Sequence, residues 1–239
     1  MSGETAVDGC VRSIRRRILA GEFPVGARLP PERTLATELG VNRTTLRAAL
    51  GRLATSRLLT VRQGSAHVVQ DFTRVAGLEV LPELVDLVDR ERQLQIVGDL
   101  LAIRRRLAAL VFERLAEGIS DQALRSIEEA VEDFERVVAA GGSVSEVADA
   151  DLVVTAALLA ATGSYVLQLC FNPVSIVARE LGLLRGQIYA DPSSNVLAYR
   201  LLLAWLEVPS AEGIASLEAE LVLRDERALE RLREATVAG

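Results

Sequence analysis

The stretch "VNRTTLRAALGRL", Val41 to Leu53, decides the reading of the first part of the chain. Leu46, Leu50 and Leu53 recur at helical spacing with Ala49 beside them, so one side of this helix faces a core. Asn42 precedes the periodic run as an N-cap. Arg43, Thr44 and Thr45 then fall on the first turn and Arg47 one turn later, and packing requires none of them. A helix N-terminus carries unsatisfied N–H groups and the positive end of a dipole, which suit phosphate. Short hydroxyls reach phosphate oxygens, and arginine can fork onto the O6 and N7 of guanine. The pattern therefore points to DNA, the alternative for Arg43 and Arg47 being an ordinary solvated face.

The elements around this helix extend the argument. Val7, Val11, Ile14 and Ile18 step by helical intervals, with Arg12, Arg15, Arg16 and Arg17 mostly on the outer side. Gly21, Pro24 and Gly26 break the chain, a short helix opens at Pro31 or Glu32, and Gly40 closes it. Downstream, "LLTVRQGSAHVVQDF" has β-branched runs on either side of Gln63-Gly64-Ser65, the pattern of a hairpin with glycine in its turn. Gly64 lets backbone approach a duplex closely. Gln63 and Arg62 flank it, while His67 reads as a surface or hairpin-packing residue. Helix, helix, tight turn, helix and hairpin is the order of a winged helix-turn-helix.

Charge separates this head from the rest. Residues 1–72 hold 11 Arg and 6 acidic residues, a balance of +5, whereas the remainder carries −11 of a total of −6. Every Lys or Arg position is Arg, a bias assigned to coding rather than to function. A basic head on an acidic body is the distribution expected of a nucleic-acid binder, although a solvated surface can be polarised in the same way. With 239 residues and 50% hydrophobic content, the chain can bury two cores. No run of eighteen apolar residues occurs, and "MSGETAVDGC" lacks the basic and apolar regions of an export signal. The expectation is a soluble cytoplasmic protein without a membrane partner. Cys10 and Cys170 have no disulfide or metal spacing and read as one core and one surface thiol.

Beyond Phe72 the pattern is helical throughout, giving a mainly α protein. The expected boundaries are a winged helix-turn-helix over 1–72, a linker over 73–81 containing Gly77, and an all-helical domain over 82–239. Helices are expected over Leu94–Ala116, Asp121–Ala140, Val144–Thr162, Tyr165–Tyr189, Asn195–Glu207 and Ser210–Ala235. Gly118, Gly141-Gly142, Gly163, Asp191-Pro192 and Pro209 punctuate them. Six or seven such helices make a bundle around "LVVTAALLA" and "VLAYRLLLAWL". No enzyme is expected: no nucleophile sits in a recognisable setting, the single histidine lies in the hairpin, and there is no glycine-rich phosphate loop. No cofactor follows from the residues.

The segment "FPVGARLPPERTLATELGVNRTTLRAALGRLATSRLLTVRQGSAHVV" resembles the DNA-binding domain of the GntR family of bacterial transcription regulators. That resemblance implies operator contacts by Arg33, Arg43 and Arg47, phosphate contacts by Thr44 and Thr45, and Gly64 at the wing tip. It also implies a homodimer on palindromic DNA. The helical remainder resembles the effector domain of the FadR subfamily through "DLLAIRRRLA", "ADADLVVTAALLAATGS" and "YADPSSNVLAYRLLLAWL". Many relatives bind a divalent metal through an Asp, a His one turn later and two further His. Here Asp151 stands at the first position, Thr155 at the second, and Arg200 and Arg224 near the later ones, so no metal is expected. The resemblance instead implies an effector site using Arg104, Asp151, Arg200 and Arg224. Its ligand would be a long-chain acyl-CoA or, alternatively, a small organic carboxylate. The competing role for each arginine is a buried salt bridge with Asp99, Asp151 or Glu180. The segment "LVLRDERALERLRE" does not reproduce the glycine- and serine-rich acyl-CoA segment of that subfamily.

Overall fold

A computed structural model describes residues 5–62 and 66–235, and the chain divides into two compact units, Met1–Asp89 and Arg90–Gly239. In the first, α1 (Ala6–Leu19) starts at Thr5, whose hydroxyl accepts the Asp8 N–H while the Asp8 carboxylate accepts the Thr5 N–H. This reciprocal box satisfies two N–H groups that a helix start otherwise leaves bare. The Thr5 hydroxyl and Arg52 hold the Asp8 carboxyl down at about 2. Next come α2 (Glu32–Glu38) and α3 (Arg43–Thr55), separated by Gly40 at φ +64°, a conformation that costs glycine little. Ile14, Ile18, Leu35, Leu46, Leu50 and Leu53 close the core between them.

The hairpin pairs β1 (Leu59–Arg62) with β2 (Ala66–Val69) in antiparallel register from Leu59 opposite Val69 to Arg62 opposite Ala66. Arg28 adds a bridge to Val68, so the chain between α1 and α2 extends the wing by one short segment. The expected turn residues Gln63 and Gly64 lie outside the described residues. Half-buried His67 sits in β2 opposite Val61.

The chain does not run free over 73–81. It forms α4 (Phe72–Val75), a 3-10 turn (Leu78–Val80) and α5 (Leu81–Val85), and the division between units falls after Asp89. Gly77 and Pro82 look like linker punctuation in sequence, but Val80 and Val85 are buried and Glu83 pairs with Arg15 of α1. That ion pair removes Arg15 from the outward-facing arginines.

The second unit consists of α6 (Arg90–Ala116), α7 (Asp121–Ala139), α8 (Val144–Ala161), α9 (Tyr165–Glu180), α10 (Gly182–Ile188), α11 (Pro192–Glu207) and α12 (Ala211–Glu234). Ser120, Ser143, Ser164 and Ser210 each cap the helix that follows. The single helix expected over Tyr165–Tyr189 is instead two, bent by 93° around Leu181. The turn lets Leu181 and Leu184 both enter the interior, and Gly182 and Gly186 weaken any tendency to continue straight. No single helix among the described residues is long and apolar enough to cross a membrane. Val111, Leu115, Ile127, Val154 and Phe134 form the middle of the core, with the Phe134 ring edge-on to Tyr199 at 5.2 Å between centroids. The thiols separate as expected, Cys10 buried and Cys170 exposed.

Two stability changes are expected. Asn42→Ala removes the acceptor of the Thr45 N–H, a 2.8 Å bond, and should cost about 1 kcal/mol in a urea titration. Phe134→Ala empties a fully enclosed site and should cost about 3–5 kcal/mol, with the near-ultraviolet signal of the neighbouring tyrosine altered. A loss below about 1 kcal/mol for Phe134→Ala would mean that the bundle interior is not tightly packed at α7.

Candidate DNA-reading face and effector cavity

Asn42 occupies the N-cap of α3, its side-chain oxygen accepting from the Thr45 N–H at 2.8 Å. The cap fixes the first turn, so Arg43 and Thr44 stand exposed at its edge with Thr45 half-buried behind them. Exposed Arg33 lies on α2. Ion pairs engage several arginines of this unit. Arg15 is engaged by Glu83, Arg17 by Glu22 and Glu38, Arg52 by Asp8, and Arg74 by Asp71. Among the described residues, the guanidinium groups of Arg16, Arg28, Arg33, Arg43 and Arg57 have neither an ion pair nor a hydrogen bond, and of these Arg43 lies on the first turn of α3 and Arg33 on α2. Arg47 is different: its Nε donates to Glu32 at 2.8 Å, although 69% of its side chain remains exposed. An exposed pair of this kind is worth about 0–1 kcal/mol, so moving Arg47 onto another anion costs little.

In the helical unit, α6, α8, α9, α11 and α12 line a partly open cavity of about 90 Å³. Most of its wall is apolar, including Val111, Phe112, Leu158, Leu159, Leu202 and Leu217; Arg104, Asp151, Thr155, Tyr199, Glu220 and Arg224 supply the polar part. A second pocket of about 50 Å³ shares Arg104, Asp151, Thr155 and Phe171 with it and is also lined by Tyr189. Asp151 accepts from the Tyr199 hydroxyl at 2.6 Å and from the Tyr189 hydroxyl at 2.9 Å, one on each carboxylate oxygen. Burial first, and then the adjacent Asp151 charge, push both phenols above their ordinary range, so they stay protonated donors.

Behind this wall lies Asp225, with 1% of its side chain exposed, holding Arg104 at 2.5 Å and Arg105 at 2.8 Å on separate oxygens. Burial works against the Arg104 charge, but Asp225 and Asp151 outweigh it and keep the guanidinium protonated. The buried Nε of Arg104 has no hydrogen-bond partner. Arg224 lines the cavity half-buried and, among the described residues, has neither an ion pair nor a hydrogen-bonded side chain.

Three of the four expected effector residues, Arg104, Asp151 and Arg224, therefore meet at one cavity. Arg200 does not. Its guanidinium is on the outer side of α11, bonded to Glu135 of α7 at 2.7 Å and 64% exposed. Tyr199, one residue earlier, faces inward, because a one-residue shift turns a helical side chain by about 100°. Nor is the partner of Arg104 any of the expected Asp99, Asp151 and Glu180; it is Asp225. Tyr189, Tyr199, Glu220 and Asp225 were not anticipated. A signal existed for Asp225, since the buried or half-buried stripe Leu217, Leu221, Ala228 and Leu232 passes through Arg224-Asp225.

The donor set does not fit the divalent metal of related effector domains. Both Asp151 oxygens already accept phenol protons, Thr155 and Tyr199 accompany it, and Arg224 brings a positive charge. No group of three or more His, Cys, Asp and Glu among the described residues is arranged to hold a cation. The chemistry available here is recognition of an anion by guanidinium and phenol donors.

Residues 7–69 match the family described as "Bacterial regulatory proteins, gntR family", and residues 99–221 match the FCD domain. A fatty acid metabolism regulator protein of Serratia proteamaculans is 32% identical over 180 residues, covering 74% of this chain and 69% of that protein. The HTH-type transcriptional regulator Mce2R of Mycobacterium tuberculosis is 44% identical over 100 residues, which cover 42% of this chain and 41% of the relative. A fatty acid metabolism regulator of Vibrio vulnificus is 37% identical over 120 residues. The matches to the mycobacterial and Vibrio proteins span only about two-fifths of those relatives' length. Among solved structures, the Lar protein described as controlling the agr system of Listeria monocytogenes has the same fold at 18% identity, with a TM-score of 0.59 over 95% of this chain and 99% of that one. With a gntR head and an FCD domain spanning about half its length, the chain belongs to the GntR family of bacterial regulatory proteins, in the FadR-type branch, and not to a family of enzymes.

Proposed function

We propose that this protein is a homodimeric, DNA-binding transcription regulator whose operator affinity is set by a small organic acid held in the cavity of its helical unit. The observation that carries the DNA part is the capped N-terminus of α3, with exposed and unpaired Arg43 on its first turn and exposed and unpaired Arg33 on the preceding α2. Unpaired guanidinium groups bind DNA without first breaking a protein contact. Thr44 and Thr45 then take phosphate, Arg47 swings from Glu32 onto the duplex, and Gln63 and Gly64 are assigned to the wing tip. Two copies on a two-fold axis read two half-sites.

Size and charge support the acid. A water-sized group needs about 10–15 Å³ of such space, so 90 Å³ takes a ligand of about six to nine heavy atoms. Arg224 offers the carboxylate an unpaired partner, and the apolar wall takes the remainder of the molecule. The long-chain acyl-CoA reading is favoured by a different observation, the Serratia and Vibrio relatives being fatty acid metabolism regulators by name. It requires the cavity to enlarge several-fold. A hundredfold change in operator affinity by either ligand needs about 2.7 kcal/mol of preference for one state of the protein.

On an operator selected by the protein from random DNA, Arg33→Ala and Arg43→Ala should each weaken binding by about 1–3 kcal/mol in an anisotropy titration. Arg52→Ala, which removes a residue engaged by Asp8, should change it less than about twofold. Equal effects at all three positions would reduce the arginines to general charge and remove the readout claim. For the ligand, short branched monocarboxylates should raise the melting temperature of the full chain, and Arg224→Gln should abolish that rise. A response confined to long-chain acyl-CoA would replace the small-acid reading with the fatty-acyl one.

A further inference from the structure

The charges around the cavity do not all cancel in pairs that touch. Arg104 and Arg105 are matched by Asp225, which bonds both, and by Asp151, whose charge acts on Arg104. Two positive and two negative groups are thereby accounted for. Two charged residues of the cavity wall remain, Arg224 and Glu220, one helical turn apart on α12 and both half-buried. Such i,i+4 neighbours can pair readily on a helix surface. Here they make no ion pair with each other and, among the described residues, have no other hydrogen-bonded or ion-paired partner.

A plain monocarboxylate entering this site would satisfy Arg224 and leave Glu220 facing an apolar chamber with no counter-charge. Leaving one half-buried charge uncompensated is costly. A ligand carrying one negative and one positive group would satisfy both and keep the cavity wall neutral. Building on the small-acid reading above, we infer that the cavity is shaped for a zwitterion: an α-amino acid with an apolar side chain, its carboxylate on Arg224 and its ammonium on Glu220. Val111, Phe112, Leu158, Leu159 and Leu202 line the chamber that takes the side chain. Its size admits a residue of about leucine's dimensions, nine heavy atoms being the upper end of what the volume holds. Asp151 has no direct part in this recognition. Both its oxygens accept tyrosine hydroxyls, so it holds Tyr189 and Tyr199 in place at the polar end.

Isothermal titration of the full chain with matched pairs isolates the ammonium: valine with 3-methylbutanoate, leucine with 4-methylpentanoate, and isoleucine with 3-methylpentanoate. The wild type should bind at least one amino acid about tenfold or more tighter than its deamino partner, the effect of one charge-assisted bond at a half-buried site. Glu220→Gln should erase that ratio while leaving the melting curve of the unliganded protein unchanged. Arg224→Gln should abolish binding of both members of the pair. If the deamino acids bind as tightly as the amino acids, or if Glu220→Gln leaves the ratio intact, the zwitterion is overturned and the small-acid reading stands. If none of the six compounds binds, both readings fall together.

Discussion

One carboxylate, Asp225, governs the polar interior of the helical unit. It is almost wholly buried and bonds two arginines from successive positions of α6. An isolated carboxylate could not remain charged there, because removing it from water costs several kcal/mol. With Arg104 and Arg105 on its two oxygens it is compensated, and it ties α12 to α6. The consequence for function is directional. Arg104 is held with a buried Nε that has no partner, beside an Asp151 whose oxygens are occupied by Tyr199 and Tyr189. The polar end of the cavity is therefore assembled by ion pairs and phenols. Guanidinium groups supply the positive charge there.

The two units use the same residue type in opposite ways. In the head, most of the ion-paired arginines belong to bridges that are partly solvated, and Arg33 and Arg43 are exposed and unpaired. Solvated pairs contribute little to stability and can exchange partners, which suits a surface that exchanges water for phosphate. In the bundle, Arg104 is enclosed and committed, and its contribution is geometric. Arg224 resembles Arg33 and Arg43 in being unpaired among the described residues, but it is half-buried in the wall of a cavity.

Much of the fold was legible in the sequence because burial repeats with a period. Leu46, Leu50 and Leu53 marked α3, glycine and serine marked helix ends, and the alternation around residues 63–65 marked the wing. The break at Leu181 was not legible: Gly182 is a weak signal inside an apolar run, and only burial of Leu181 and Leu184 together explains the turn. The short helices over 73–85 were hidden by Gly77 and Pro82, which read as loop residues until Val80 and Val85 are seen to be buried. At the site, resemblance led to Asp151, Arg104 and Arg224 but missed by one residue at Arg200, where an inward tyrosine and an outward arginine are adjacent. The Tyr189 contact could not be read at all, since it depends on the bend between α9 and α10 bringing a distant residue to Asp151.

The dependence of this interior on Asp225 is measured most directly by a double-mutant cycle of unfolding free energies with Arg104→Met, Asp225→Leu and the pair. Asp225→Leu leaves the buried Arg104 without its bonded partner and should cost about 3–5 kcal/mol, whereas Arg104→Met leaves Asp225 with Arg105 and should cost less. The double change removes both charges, and Arg105 can turn its partly exposed head to solvent. The pair should therefore be more stable than Asp225→Leu alone, with a coupling energy of about 2 kcal/mol or more. Strictly additive losses would contradict the account, since they would mean that Asp225 and Arg104 contribute independently and that the cavity's polar end is not built on their pairing.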